Sequence, residues 1–256
     1  MFKKDKLNLT GSKVISFIGA RGGCGTTTIA LNTAVAFAKS GKYVLYIDGN
    51  INDPSAFLYF DIDAEKIDTE LIKSLRQDVV LNNLILSTNN KRIKLISESP
   101  LVGYSMLGDP NHNGTLKMIE KASENFDVVI IDCPAHYSEE MTIAAIEKSS
   151  EMIMITDADN TSLMRMSKMK DFVKNLCGTD KVNSVIVNKA TTRTYSRDTL
   201  SNIGLNLLFT QYYSQSAYEI GNKQKIFCDS ELRKGDDQLQ EFRANINSLV
   251  SYICNR

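Results

Sequence analysis

Gly19-Ala20-Arg21-Gly22-Gly23-Cys24-Gly25-Thr26-Thr27-Thr28 decides how the rest of this chain is read. The run before it, Val14-Ile15-Ser16-Phe17-Ile18, is short, apolar and β-branched, as a buried parallel strand is. The run after it, Thr28 to Ala38, has helix-forming composition and stops at Gly41. Strand, glycine-rich turn and helix in that order build an anion cradle. Glycines let backbone N–H groups approach a phosphate, and the helix N-terminus adds unpaired donors and the positive end of its dipole.

The stretch departs from the common phosphate-loop signature G-x-x-x-x-G-K-[ST]. Ala20 stands at the first glycine and Thr26 at the lysine, while Thr27 keeps the hydroxyl that would reach Mg²⁺. An ordinary glycine-rich strand–helix turn is the alternative. Two later landmarks argue against it. Lys42-Tyr43-Val44-Leu45-Tyr46-Ile47-Asp48 is a strand ending on a carboxylate, and Phe126 to Asp132 is a second one, with the apolar run Val128-Val129-Ile130-Ile131 before its acid. Parallel α/β sheets place ligands at the carboxyl ends of their strands. Asp48 and Asp132 are therefore candidate Mg²⁺ residues beside Thr27, and helix capping is the alternative role for Asp132.

The bulk properties narrow the class. The chain has 256 residues, 30 basic and 30 acidic, so net charge favours neither nucleic acid nor an anionic membrane. Five cysteines without a C-x-x-C pair point to a reducing, cytoplasmic setting. No run approaches the roughly 18 apolar residues of a membrane span.

Further along, 64–75 reads as a helix, 87–92 as a turn around Asn89-Asn90, and 93–96 as a strand. Residues 109–114 read as a loop entering a helix that runs to about Asn125. Glu151–Thr156 and Val182–Lys189 are strands, with a helix over 161–175 between them; 205–209 is a last strand and 236–253 a closing helix. Alternation of this kind predicts a three-layer, doubly wound α/β fold with a mostly parallel sheet. Residues 1–256 read as one domain, with 1–12 a polar lead-in.

With these residues assembled, the chain resembles the MinD/ParA family, P-loop proteins with a deviant Walker A motif. The family pattern K-G-G-x-G-K-[ST]-T aligns with Arg21 to Thr28, and the VLYID, DVVIIDCPA and SVIVNK segments follow in order. The resemblance implies a P-loop NTPase fold like that of the nitrogenase iron protein. It also implies bound ATP or ADP with Mg²⁺, and a homodimer with two nucleotides at its interface. Arg21, Gly22, Gly23, Cys24, Gly25, Thr26, Thr27 and Thr28 then become nucleotide-binding residues. Asn188 falls where the family contacts adenine; a plain strand-end turn is the alternative.

Three positions differ. Arg21 replaces the lysine that reaches across the dimer, and its fork can still meet phosphate. Thr26 replaces the P-loop lysine. Asn50 replaces the second acid after Asp48, a catalytic position, and cannot take a proton from the attacking water. Losing one charged hydrogen bond costs about 1.5–3 kcal/mol, roughly 10- to 100-fold in affinity. Charge stabilisation in phosphoryl transfer is worth about 10³–10⁵ in rate. ATP binding with slow or absent hydrolysis is expected.

The pattern R-G-G-x-G-[small]-[ST]-T is similar to the CpaE/TadZ branch, which implies a part in localising or assembling Flp/Tad pili with other envelope proteins. That branch often carries an N-terminal receiver-like domain, absent from this sequence. An active partition or division-site ATPase and a nucleotide-free structural dimer are the alternatives. Gln211 is a weak base-binding candidate, His112 and His136 read as surface loop residues, and Cys24 matters through its backbone N–H. Met152, Met154, Met164, Met166 and Met169 read as core or dimer-face packing. Leu239, Phe242, Ile246, Leu249 and Ile253 lie at helical spacing, so the last helix reads as core and not as a membrane-targeting tail.

Overall fold

The computed structural model describes residues 11–67, 71–77, 79–101, 111–192, 194–230 and 236–255. Its strands are β1 (Lys13–Gly19), β2 (Val44–Asp48), β3 (Leu86–Ser87), β4 (Ile93–Ile96), β5 (Val128–Cys133), β6 (Glu151–Thr156), β7 (Val182–Ala190) and β8 (Asn206–Tyr212). They form one sheet in the order β3-β4-β2-β5-β1-β6-β7-β8. All pairings are parallel except β3 with β4. The expected doubly wound α/β architecture is the one observed.

Period-two alternation sorts the strand residues onto two cores. Ile15, Phe17, Tyr46, Ile130 and Ile153 face one side, where α1 (Thr26–Lys39) and α9 (Asp237–Cys254) pack. Val14, Ile18, Ile47, Ile131 and Met154 face the other, under α4 (His112–Asn125), α5 (Glu140–Lys148) and α6 (Asn160–Cys177). Leu239, Phe242, Ile246, Leu249 and Ile253 of α9 are all buried, so that helix spends its apolar face on the core. Met152, Met154, Met166 and Met169 are core residues, whereas Met164 is exposed.

Several local expectations need correction. The helix read over 64–75 is a 3₁₀ turn at Ala64–Lys66 and a separate short α3 (Leu71–Leu75). Ile67 is extended (φ −89°, ψ 94°) and packs into one core, while Leu71, Ile72 and Leu75 pack into the other. One straight helix could not serve both sides of the sheet. The loop read over 109–114 gives way to helix at His112, capped by Asn111, whose side chain accepts from Gly114 N; Asp109 and Pro110 lie outside the described residues. A Cβ at Gly114 would stand 1.7 Å from the Leu75 carbonyl oxygen, so glycine lets α4 close on α3. His112 is not a plain loop residue: its ring bridges Glu140 and Glu147 of α5.

Three short helices were not expected: α2 (Ala56–Tyr59), α7 (Arg197–Asn202) and α8 (Gln215–Asn222). Among the described residues no helix is long and apolar enough to cross a membrane.

Candidate phosphate-binding site

β1 lies between β5 and β6, where the sheet order reverses, so the loop after it opens at the topological switch point. Gly25 is the N-cap of α1 with φ 95°, a left-handed conformation that favours glycine. No side chain caps α1 and no acid occupies its first turn. Among the described residues, its N-terminal N–H groups have no side-chain acceptor. A Cβ added at Gly22 or Gly23 would meet nothing within 4 Å, so the cradle is open there.

Asn188 and Lys189, at the tip of β7, clamp this loop. Asn188 Nδ2 donates to the Cys24 carbonyl at 2.9 Å, and Lys189 Nζ donates to the Gly23 carbonyl at 2.7 Å. Lys189 adopts φ 53°, a conformation a side chain-bearing residue enters at some cost. Both bonds fall on consecutive loop carbonyls, so the strained residue is held by the contacts it makes. The family resemblance implies a base contact at Asn188-Lys189; the bonds both side chains make here run to the loop.

The loop's own side chains do not restore the missing lysine. Thr26 Oγ1 lies 3.4 Å from Cys24 Sγ, turned back towards β1. Cys24 is buried, with its thiol against the Ile155 carbonyl. Arg21 pairs with Asp157 at the end of β6, its Nε 3.1 Å from Oδ1 and its Nη2 on Oδ2. Ser162 Oγ donates to the same carboxylate at 2.7 Å. Burial alone would raise the Asp157 pKa, but the bonds from Arg21 and Ser162 outweigh it and bring it below the usual range.

Asp48 and Asp132 are cross-strand neighbours in the β2–β5 register. Asp48 Oδ2 accepts the N–H groups of Ser55 and Ala56, both at 2.9 Å, and Oδ1 accepts Asn50 N at 3.2 Å. Oδ1 thus keeps a lone pair for a further partner. Asp132 accepts the Tyr46 hydroxyl at 2.9 Å, and the Thr27 hydroxyl lies beside it. Burial, reinforced by the Asp48 charge, pushes its carboxyl up to about 7 despite these two hydroxyls. Asn50 turns its amide onto the Asp53 carbonyl at 2.8 Å, which ties it to its own turn. The structure therefore gathers Thr27, Asp48 and Asp132 at one place and holds Arg21 and Asn50 in contacts of their own. An oxygen-only set of hydroxyl and carboxylates beside an open N–H cradle fits a hydrated divalent cation with a phosphate.

A cavity of about 240 Å³ adjoins the loop, walled by Thr28, Asn188, Lys189, Tyr213, Tyr218 and Phe242. Gln211 also lines it but is buried, with its amide engaged by Tyr212 and Asn245. A larger cavity of about 570 Å³, between Asp61, Asn89, Glu219 and Lys225, has no phosphate-loop residue in its wall.

Known proteins are similar to this chain in sequence and fold. Residues 12–187 match the AAA domain family. Over 179 residues the chain is 27% identical to an uncharacterised ATP-binding protein of Methanocaldococcus jannaschii, covering 68% of this chain and 63% of that protein. It is 26% identical over 168 residues to the sporulation initiation inhibitor protein Soj of Bacillus subtilis, covering 63% and 65%. The chain thus spans under two thirds of the length of these curated relatives. The septum site-determining protein MinD complexed with Mg-ADP from Pyrococcus horikoshii OT3 superposes with a TM-score of 0.75 at 18% identity, over 94% of this chain and 98% of that one. By its matched residues, its relatives and its fold, this chain belongs to the AAA domain family, among the MinD/ParA proteins.

Proposed function

We propose that this chain, as a single domain, binds ATP or ADP with Mg²⁺ at the Arg21–Thr28 loop, pairs with a second copy, and hydrolyses ATP slowly or not at all. One observation carries this: the elements for binding are assembled, while those for turnover are missing or engaged elsewhere. Thr26 brings no charge to the loop, Arg21 is committed to Asp157, and the Asn50 amide is committed to Asp53.

Backbone N–H groups of Gly23 to Thr28 would hold the phosphates. The Thr27 hydroxyl, Asp132 and the open side of Asp48 would hold the hydrated cation, which neutralises phosphate charge when bound. Asn188, Tyr213 and Tyr218 would receive the base and ribose in the adjoining cavity. Lys189 would add positive potential at the loop's rim.

The biological role that fits such a protein is a nucleotide-stabilised positioning or assembly factor acting with protein partners at the cell envelope. The lysine-free pattern R-G-G-x-G-[small]-[ST]-T supports the Flp/Tad pilus type in particular, in the cytoplasm with recruitment by partners. An active positioning ATPase is the second reading. The Arg21 side chain is 38% exposed, so its release from Asp157 would free a guanidinium for phosphate.

Thermal shift with ATP, ADP and GTP in Mg²⁺, run beside phosphate release, tests this. Stabilisation by ATP with little release is expected. Turnover at the rate of an ordinary family member would remove the slow-hydrolysis reading, and no shift with any nucleotide would remove the site.

A further inference from the structure

Tyr46 is an unusual residue for its position. It sits mid-strand in β2 between Leu45 and Ile47, fully buried, and pairs in register with Leu95 of β4 and Ile130 of β5. Every one of those neighbours is aliphatic. A phenol buried there needs a partner for its hydroxyl. That partner is Asp132: Tyr46 Oη donates to Oδ2 at 2.9 Å. The ring is fixed by an edge contact with Phe60, centroids 6.1 Å apart. The Thr27 hydroxyl lies beside the same carboxylate.

We propose that Tyr46 is a positioning residue for the cation half of this site: it holds the Asp132 carboxylate in place and so sets the Mg²⁺ concentration at which nucleotide is held. The inference rests on the nucleotide-binding reading above. A carboxylate that accepts one hydroxyl keeps its other lone pairs for the shell of a cation. The carboxylate keeps that role only while it is itself held. The bond that holds it comes from Tyr46, whose ring is anchored in the core. Without the phenol, the carboxylate is free to turn. Partners behind metal-binding groups typically shift metal affinity about 10- to 100-fold when removed.

The test is a fluorescent ATP-analogue titration of the full chain at a series of Mg²⁺ concentrations, in wild type, Tyr46→Phe and Tyr46→Leu. Tyr46→Phe keeps the ring and its packing and removes one oxygen. The Mg²⁺ midpoint is expected to rise roughly 10-fold or more in both variants, with analogue affinity in chelator unchanged in Tyr46→Phe. The chain has no tryptophan, so its ultraviolet difference spectrum reports tyrosine. The perturbation on adding Mg²⁺ to the ATP-bound chain is expected to be smaller in Tyr46→Phe than in wild type, while the one on adding ATP, which Tyr213 and Tyr218 also report, remains in both. A midpoint in Tyr46→Phe within twofold of wild type, or a shift only in Tyr46→Leu, overturns the role of Tyr46 while leaving nucleotide binding intact. Wild type whose nucleotide affinity ignores Mg²⁺ overturns the cation site itself.

Discussion

Arg21 and Asp157 form a two-pronged pair within one chain, guanidinium to carboxylate, joining the phosphate loop to the end of β6. Asp157 is also held by Ser162 of α6, so the loop, β6 and α6 are linked through one carboxylate. The residue expected to serve a partner's phosphates is thus spoken for at home. Asp157→Asn should release it. The expected result is ATP-dependent dimerisation at a lower concentration, read by light scattering, together with faster phosphate release. The pair is partly exposed, so the loss of monomer stability should stay within about 1 kcal/mol. Unchanged dimerisation would show that Arg21 has no part in it.

Gly25→Ala should abolish nucleotide-dependent stabilisation. The residue stands at φ 95°, and a Cβ there would meet Asn188 Nδ2 at 2.3 Å. Strain of this kind costs on the order of 1–3 kcal/mol, and relief requires the loop to move off the Asn188 clamp. Circular dichroism should report a folded chain, while thermal shift with Mg²⁺ and ATP should report none of the wild-type increment.

Lys189→Met should weaken ATP binding by about 1 kcal/mol, roughly fivefold, because a single positive charge is lost at the loop's rim. Its Nζ has a carbonyl and, among the described residues, no carboxylate as partner. The deficit should shrink as salt rises, since exposed charges are screened. A deficit independent of ionic strength would assign Lys189 to loop shape alone.

Asp132 makes stability of the ligand-free protein fall with rising pH. Its folded carboxyl is pushed up to about 7, chiefly by burial and next by Asp48. The unfolded value is about 3.9. The folded state therefore holds this proton more tightly; the contribution is complete below about pH 4 and is lost as pH rises through about 7. Its ceiling is on the order of 4 kcal/mol. Asp157 acts in the opposite sense, losing its contribution as pH falls below the ordinary carboxylate range, so the two windows separate. Calorimetry in chelator should show the melting temperature falling between pH 5 and 8, and Asp132→Asn should flatten that slope. Mg²⁺ with nucleotide should reverse it, because the ionised form is then the one bound.

Local chemistry alone made much of this protein legible. The apolar runs before Gly19, Asp48 and Asp132 can only be buried strands, and alternation of strand and helix leaves a doubly wound sheet as the economical arrangement. The loop announced itself because glycine spacing at a strand–helix junction is a short-range property. What the sequence could not carry are relationships across the sheet. Arg21 meets Asp157 because β1 and β6 are neighbours 136 positions apart, and Lys189 meets Gly23 across 166. The split of 64–75 into two pieces arises because Ile67 and Leu71 bury themselves in opposite cores, a choice that exists only once the sheet divides the interior. Tyr46 reads from sequence as one more strand aromatic; only the β2–β5 register brings its hydroxyl to Asp132. Composition and periodicity fix which elements form. The burial of polar groups, which must find partners wherever the packed sheet places them, decided which of their side chains work together.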